Sequence, residues 1–335
     1  MGAIFSLINI LTKFIDKIRR QGDDAPNDRD AREQEKAIPM QNETLQNWLS
    51  DGPLLIDGGW GTEFQKRGLP LGAHPDLWNL ENPDAVKAVA KSYVDAGSDI
   101  ILTNTFGSSR FVLANHNAAD KIAEINRRGV ELSKEAASEA VGRKVRVLAS
   151  VGPTGVMLAL GDVSPEEVYD AFVEQIEAQK AGGADGVVVE TSSDPQEMAL
   201  AVKAAKSLGL VAIASGTFDS GKKKDRTMMG ATPESFAQAA EEAGADAVGS
   251  NCGRGIETFA EICSRMKAVT TLPLWMKGNA GLPKMIDGAT VYDQTPEGFA
   301  AEALKVVAEG ASFVGGCCGS NPAFIAAVRA ALDAR

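Results

Sequence analysis

From residue 54 onward the chain repeats one unit: a short apolar run rich in β-branched residues, a turn dense in glycine and polar side chains, then an amphipathic segment ending at glycine. Four of those segments close on nearly the same phrase: Ala96-Gly97-Ser98-Asp99, Gly182-Gly183-Ala184-Asp185, Ala243-Gly244-Ala245-Asp246 and Glu309-Gly310-Ala311-Ser312. Glycine there supplies the left-handed cap that stops a helix and turns the chain back into a strand. Helix starts are marked as regularly, by Asn82-Pro83, Ser164-Pro165, Asp194-Pro195, Thr232-Pro233, Thr295-Pro296 and Asn321-Pro322. Proline in the first helical turn gives up no hydrogen bond, and the residue before it caps free amides. The apolar runs predict eight strands, at 54–58, 99–105, 145–151, 186–190, 211–217, 247–251, 272–277 and 313–316. A run that is apolar throughout, such as Gly186-Val187-Val188-Val189, must be buried on both faces, which requires a parallel sheet covered by helices. Eight such units predict an α/β fold, a single closed (β/α)8 TIM barrel over residues 40–335. The second domain that 335 residues would otherwise suggest is not needed.

Residues 1–39 follow a different pattern. Ile4, Leu7, Ile8, Leu11, Phe14, Ile15 and Ile18 recur at three- and four-residue spacing, with Lys13, Lys17, Arg19 and Arg20 clustered late. That is an amphipathic leader helix, too short and too charged to span a bilayer and without a secretory cleavage site. Residues 21–39 are polar and aperiodic, as expected of a disordered linker. Three readings of the leader stand side by side. Met1-Gly2-Ala3-Ile4-Phe5-Ser6 fits the pattern for acylation at Gly2, with the basic residues as a second signal for peripheral membrane binding. The helix alternatively docks a partner protein or a compartment shell. In the third reading it is a dispensable extension and Met40 opens the functional chain.

Charge and composition narrow the function. With 34 basic and 45 acidic residues the formal charge is −11, which argues against a nucleic-acid partner, because phosphate binding requires a basic face. Four cysteines are too few for a disulfide framework and point to a reducing, cytoplasmic setting. Only His74 and His116 are present, so His-rich zinc sites and most Ser-His-Asp schemes are excluded. If the chain handles a metal or a nucleophile, sulfur and carboxylate must do it.

In such a barrel function gathers on loops leaving the C-terminal ends of the strands. Three of the four cysteines lie there, Cys252 after the sixth strand and Cys317 and Cys318 after the eighth, while Cys263 falls inside a helix. Residue type alone leaves three readings: small buried hydrophobes, a disulfide that the adjacent pair could form only with a strained peptide, or a soft-metal site of three thiolates with an open fourth position. Glycine on both sides of Cys317-Cys318 allows close backbone approach to an ion, although the spacing is not a zinc-finger pattern.

The ordered motifs Asp57-Gly58-Gly59-Trp60-Gly61-Thr62-Glu63, Thr103-Asn104-Thr105-Phe106, Gly152-Pro153-Thr154-Gly155, Glu190-Thr191, Asn251-Cys252-Gly253 and Gly315-Gly316-Cys317-Cys318-Gly319 resemble the zinc-dependent homocysteine S-methyltransferases. That family includes betaine–homocysteine methyltransferase and the homocysteine-binding module of cobalamin-dependent methionine synthase. The resemblance runs from Leu54 to Arg335 and does not reach residues 1–39. It implies methyl transfer to the homocysteine thiol, giving methionine, with Cys252, Cys317 and Cys318 as ligands of a catalytic Zn2+ whose open position takes that thiol. Zinc coordination deprotonates a thiol at neutral pH, so a histidine base is unnecessary. The resemblance further implies that Asp57 and Glu190 hold the substrate amino group by charge-assisted pairing. Amides around Gly58 and Gly59, with Thr103 and Asn104, would hold its carboxylate. Asn251 would orient a ligand or occupy the empty zinc position, and Lys277 and Asn279 are left to rim structure.

Two donor classes remain: a small onium compound such as glycine betaine, S-methylmethionine or dimethylsulfoniopropionate, or a methylated corrinoid on a separate protein. An Asp-x-His-x-x-Gly cobalamin signature is missing from the chain itself. Trp60, Phe106, Phe218 and Trp275 are candidate aromatic walls for an onium group. Some family members methylate selenocysteine, so that acceptor stands beside homocysteine. Other readings compete with the family. Glycine-rich loops at 278–281 and 315–316 suit phosphate, as in a sugar-phosphate enzyme, although such a site has no use for three cysteines. A non-catalytic barrel recruited through its leader helix, and a homo-oligomer, also remain open. The basic turn Gly221-Lys222-Lys223-Lys224-Asp225-Arg226 reads as a solvated surface loop.

Overall fold

The computed structural model describes residues 43–70, 72–286 and 289–335. The leader helix with Gly2 and the linker at 21–39 lie outside the described residues. Eight parallel strands form one sheet: β1 (Leu54–Leu55), β2 (Ile100–Leu102), β3 (Arg146–Val151), β4 (Gly186–Ser192), β5 (Val211–Gly216), β6 (Ala247–Gly255), β7 (Leu274–Asn279) and β8 (Ala311–Gly316). Their hydrogen-bonded order is β1-β8-β7-β6-β5-β4-β3-β2, and a parallel bridge between Ile56 and Ile100 joins the two ends into a barrel. Around it run α1 (Pro83–Asp95), α2 (Ile122–Ser138), α3 (Pro165–Ala181), α4 (Pro195–Ser207), α5 (Pro233–Glu242), α6 (Phe259–Lys267), α7 (Pro296–Ala308) and α8 (Pro322–Asp333). Short helices at Glu43–Trp48, Trp60–Lys66, Trp78–Glu81 and Arg110–Ala114, and an antiparallel hairpin of Lys284–Ile286 with Ala289–Val291, are additions too brief to leave a periodic signal. Among the described residues no helix is long and apolar enough to cross a membrane.

The repeated phrase works as expected at its glycines: Gly97, Gly183, Gly244 and Gly310 have φ of 99°, 93°, 86° and 113°. Its aspartates do something the sequence did not announce. Asp99, Asp185 and Asp246 each accept a 2.8 Å hydrogen bond from a neighbouring strand, from the amides of Leu55, Val147 and Ala212. Each acidic residue thus fastens the start of its own strand to the start of the preceding one. Five of the six helix starts are capped by the side chain before proline, Ser164 and Thr232 with full capping boxes, and Asp194, Thr295 and Asn321 with single bonds. Asn82 is the exception, because its backbone at φ −146°, ψ 60° makes no side-chain cap.

Two apolar layers hold the barrel. Strand faces turned outward meet the helices, and those turned inward, including Ile56, Leu102, Leu148, Val188, Ile213 and Phe313, fill the interior. Leu45 and Trp48 from Glu43–Trp48 join the interior set at the strands' N-terminal ends, with the Arg146 guanidinium 5.1 Å over the Trp48 ring. The two aromatics Trp275 and Phe218, expected as donor walls, belong to the core instead. Trp275 is fully buried against Phe313 inside the barrel, and Phe218 meets Phe236 edge to face. With the N-terminal end of the barrel interior plugged, the opposite mouth, where the cysteines are, holds an open cavity.

Candidate metal centre and acceptor pocket

The ladder between β6 and β7 breaks between Asn251 and Gly255, and Cys252 lies in the break. Its φ is +60°, followed by Gly253 at +67°. A left-handed backbone at a side-chain-bearing residue is strained and has to be held by its surroundings. Asn251 does the holding. Its Nδ2 donates to Thr191 Oγ1 at 2.8 Å, and its Oδ1 accepts from the Thr191 amide at 2.8 Å and from Ser215 Oγ at 2.7 Å. Both lone pairs of that oxygen are engaged, so Asn251 orients Cys252 and is not a candidate for the fourth metal position.

β8 ends at Gly316 and delivers the other two cysteines into a tight turn. The Cys317 amide donates to Gly278 O at 2.7 Å and the Cys318 amide to Asn279 Oδ1 at 3.1 Å, while the Ala280 amide donates to Cys318 O at 3.0 Å. Asn279, assigned above to rim structure, therefore holds the Cys318 backbone. The same bonds remove the sugar-phosphate reading, because the amides of Ala280, Gly316, Cys317 and Cys318 are all donated within the protein and form no anion nest. Tyr292, another residue without a sequence signal, lies so close over Gly319 that a Cβ there would meet its ring at 2.2 Å. Burial beside the sulfurs pushes the Tyr292 phenol up.

The Sγ atoms of Cys252, Cys317 and Cys318 all lie within 4.8 Å of one another, the one group of three potential metal ligands among the described residues. Cys252 Sγ and Cys318 Sγ are 3.8 Å apart. Tetrahedral zinc with bonds of about 2.3 Å sets its sulfurs about 3.8 Å from one another, so the triangle has the size a zinc ion requires. Hydrogen bonding within the cluster holds the Cys252 thiol down and for the same reason pushes those of Cys317 and Cys318 up. Three clustered sulfurs cannot all ionise unless a positive ion lies among them. All four cysteines are unpaired, and Cys263 is a buried thiol in α6, pushed up to about 12 by desolvation.

Beside the sulfurs, the residues expected to bind substrate divide into two groups. Glu190 lines the cavity: its Oε1 accepts from Ser150 Oγ, and its other oxygen takes no hydrogen bond from the described residues. Burial pushes its carboxyl up to about 7, against the pull of Lys277. Asp57 is fully buried and does not line the cavity. Its Oδ2 accepts from Trp60 Nε1 and the Leu102 amide, both at 2.7 Å, and its Oδ1 faces Lys277 Nζ at 3.1 Å. Asp57 therefore pairs with the ammonium of Lys277. Thr103, Asn104, Gly58 and Gly59 line the cavity, but most of their polar groups are engaged. Thr103 Oγ1 accepts from the Ser150 amide at 3.0 Å and shares a hydrogen with Thr105 Oγ1. Asn104 Nδ2 donates to Pro75 O and Asn79 Oδ1, and the Gly59 amide donates to Ser320. Lys277, left to rim structure by the sequence, is at the centre instead. Its signal was present in hindsight: a lone charge in the otherwise apolar run Leu274-Trp275-Met276.

The cavity holds about 470 Å³, and Trp60, Phe64 and Phe106 supply the aromatic part of its wall. His74 and Asp76 complete one side; the two histidines of the chain stack at 4.4 Å, and buried Asp76 accepts from the Gly107 amide and Ser108 Oγ at 2.7 Å. The basic turn after β5 is a surface feature, folded by a bridge between Ser220 and Arg226 with Lys222, Lys223 and Lys224 exposed.

Comparison with known proteins agrees with this architecture. The chain is 30% identical over 300 residues to methionine synthase of Mycobacterium tuberculosis, and 30% over 297 residues to that of Mycobacterium leprae. Each match covers 85% of this chain, which spans only about a quarter of those relatives' length. The homocysteine methyltransferase MmuM from Escherichia coli superposes in its oxidized form with a TM-score of 0.70 at 25% identity, and in its metallated form with 0.71 at 24%. Both cover 86% of this chain and 99% of MmuM. The sequence profile of the homocysteine S-methyltransferases matches residues 54–332, and the chain belongs to that family.

Proposed function

We propose that this protein methylates the thiol of homocysteine, giving methionine, at a zinc ion held by Cys252, Cys317 and Cys318. The observation that carries the reading is the triangle of sulfurs within 4.8 Å, set in the wall of the cavity that also holds Glu190. Three soft anionic ligands with one position left over make a catalytic rather than a structural zinc set. When bound, the ion would supply one thing, coordination that keeps the acceptor sulfur a thiolate at neutral pH.

Everything else is done by the chain. Asn251 and Asn279 hold the backbones that aim Cys252 and Cys318. The free oxygen of Glu190 takes the acceptor ammonium. Trp60 and Phe106 exclude water and offer ring faces to a cationic methyl group. A cavity of about 470 Å³ admits homocysteine beside a small donor, which favours an onium compound. In the transfer a sulfur lone pair forms the new S–C bond while the donor's C–N or C–S bond breaks, and the departing donor keeps that electron pair and leaves one positive charge lower.

A donor screen tests this directly. Homocysteine is supplied with glycine betaine, S-methylmethionine, dimethylsulfoniopropionate or methylcobalamin, and methionine is followed. Turnover with an onium compound alone is expected. Turnover only with methylcobalamin would move the donor to a corrinoid protein, and none with any donor would sink the reading. Metal analysis should find about one zinc per chain, removable by chelators.

A further inference from the structure

We infer that Lys277 binds the carboxylate of the acceptor amino acid, opposite Glu190. The inference rests on the methyl-transfer reading for the identity of the acceptor, but on the geometry of the cavity for the role. A lysine ammonium has three hydrogens, and inside a protein each of them needs an acceptor. Lys277 is 3% exposed, and it is held by a hydrogen bond to Gly58 O at 3.2 Å and an ion pair with Asp57 Oδ1 at 3.1 Å. No further acceptor reaches its ammonium among the described residues, and Lys277 lines the cavity.

A buried ammonium without a counter-charge is costly, and Asp57 removes that cost. Trp60 Nε1 and the Leu102 amide fix Asp57 from below, so the two residues form a rigid neutral unit. Only its lysine end borders the cavity. Glu190 borders the same cavity with one carboxylate oxygen that no protein group satisfies. One free ammonium hydrogen, one free carboxylate oxygen and a cluster of sulfurs are the complement of an α-amino acid that carries a thiol. Two of the groups that the family resemblance offers the carboxylate are engaged within the protein, the Gly59 amide by Ser320 and Asn104 Nδ2 by Pro75 and Asn79. Lys277 is the one lysine or arginine among the residues lining the cavity, and with Glu190 it selects zwitterionic thiols over simple ones.

The test is equilibrium binding to the zinc-loaded full chain by calorimetry, with no methyl donor present. Three probes are used: homocysteine, 3-aminopropanethiol, which lacks the carboxylate, and 4-sulfanylbutanoate, which lacks the amine. Lys277→Met should weaken homocysteine and 4-sulfanylbutanoate by the same factor, about ten- to a hundredfold, the range of a charge-assisted hydrogen bond. Binding of 3-aminopropanethiol should stay within about twofold. Because Lys277→Met leaves Asp57 buried and unpaired, the paired variant Asp57→Asn/Lys277→Met removes both charges and should give the same selectivity if the single variant fails to fold. Zinc content and thermal midpoint establish that each variant is intact. Equal weakening of all three thiols, or no weakening of any, overturns the assignment. A wild-type chain that binds the thiols as described but makes no methionine from any donor would sink the methyl-transfer reading and leave the role of Lys277 standing.

Discussion

The Sγ atoms of Cys252, Cys317 and Cys318 lie within 4.8 Å of one another, and that triangle is the strongest sign that they are ligands. Cys317→Ala should drop zinc to a trace and abolish turnover while the circular dichroism spectrum stays that of the parent, since the outer apolar layers are untouched. Full activity in that variant without metal would disprove the centre. Glu190 provides a second check. Burial lifts its carboxyl to about 7, so at low pH it is neutral in the empty cavity and binding an ammonium requires it to lose a proton. Methionine carries the acceptor's amino-acid end without a titrating thiol. Its affinity should therefore rise about tenfold per pH unit up to about 7 and level off above it. Glu190→Gln should flatten that profile. For stability the sign is opposite: a raised carboxyl binds more protons folded than unfolded, so its contribution declines as pH rises from about 4.5 to about 7. The three cysteines and Glu190 were legible as candidates from their positions at strand ends. Lys277 was not, because one basic residue in a strand says nothing about what stands opposite it across the barrel.

At the scale of elements, the repeated Gly-x-Asp phrase is the most economical device in the chain. Glycine ends the helix by local geometry, and that half of the phrase could be read from the sequence alone. The aspartate acts on a different strand, through the bonds from Asp99, Asp185 and Asp246 to the amides of Leu55, Val147 and Ala212. Asp185→Ala should leave the Val147 amide without its partner and lower stability by about 1–2 kcal/mol, read from urea unfolding, with homocysteine binding unchanged. No change in the unfolding midpoint would show that the bond is incidental. Strand ends were less legible than strand centres for a related reason. β1 and β2 stop short of the predicted 58 and 105 because Asp57 and Thr103 leave the ladder for cross-strand hydrogen bonds, and β6 runs past 251 through its bulge to Gly255.

For the whole molecule, the barrel needs an end plug as well as a wall. Leu45 and Trp48 close the interior from the N-terminal side, so Leu45→Ala should cost about 2–4 kcal/mol, whereas removing residues 1–39 should leave the thermal midpoint, zinc content and turnover nearly as they are. Loss of zinc or of folding on that deletion would make the leader part of the enzyme rather than an address or docking device.

By itself the sequence determined the repeating strand and helix pattern, hence the parallel barrel, because hydrophobic period, helix caps and glycine turns are local properties of consecutive residues. It also left sulfur and carboxylate as the candidates for the chemistry, because histidine is scarce. Tertiary structure alone decided which polar groups at the mouth are free. Closing the barrel brought Lys277 of β7 against Asp57 beyond β1, and Asn251 of β6 against Thr191 and Ser215. Those pairings engage some family-motif residues within the protein and leave others to the ligand, and hydrogen-bond satisfaction across strands far apart in sequence is a property of the closed barrel, not of any one segment.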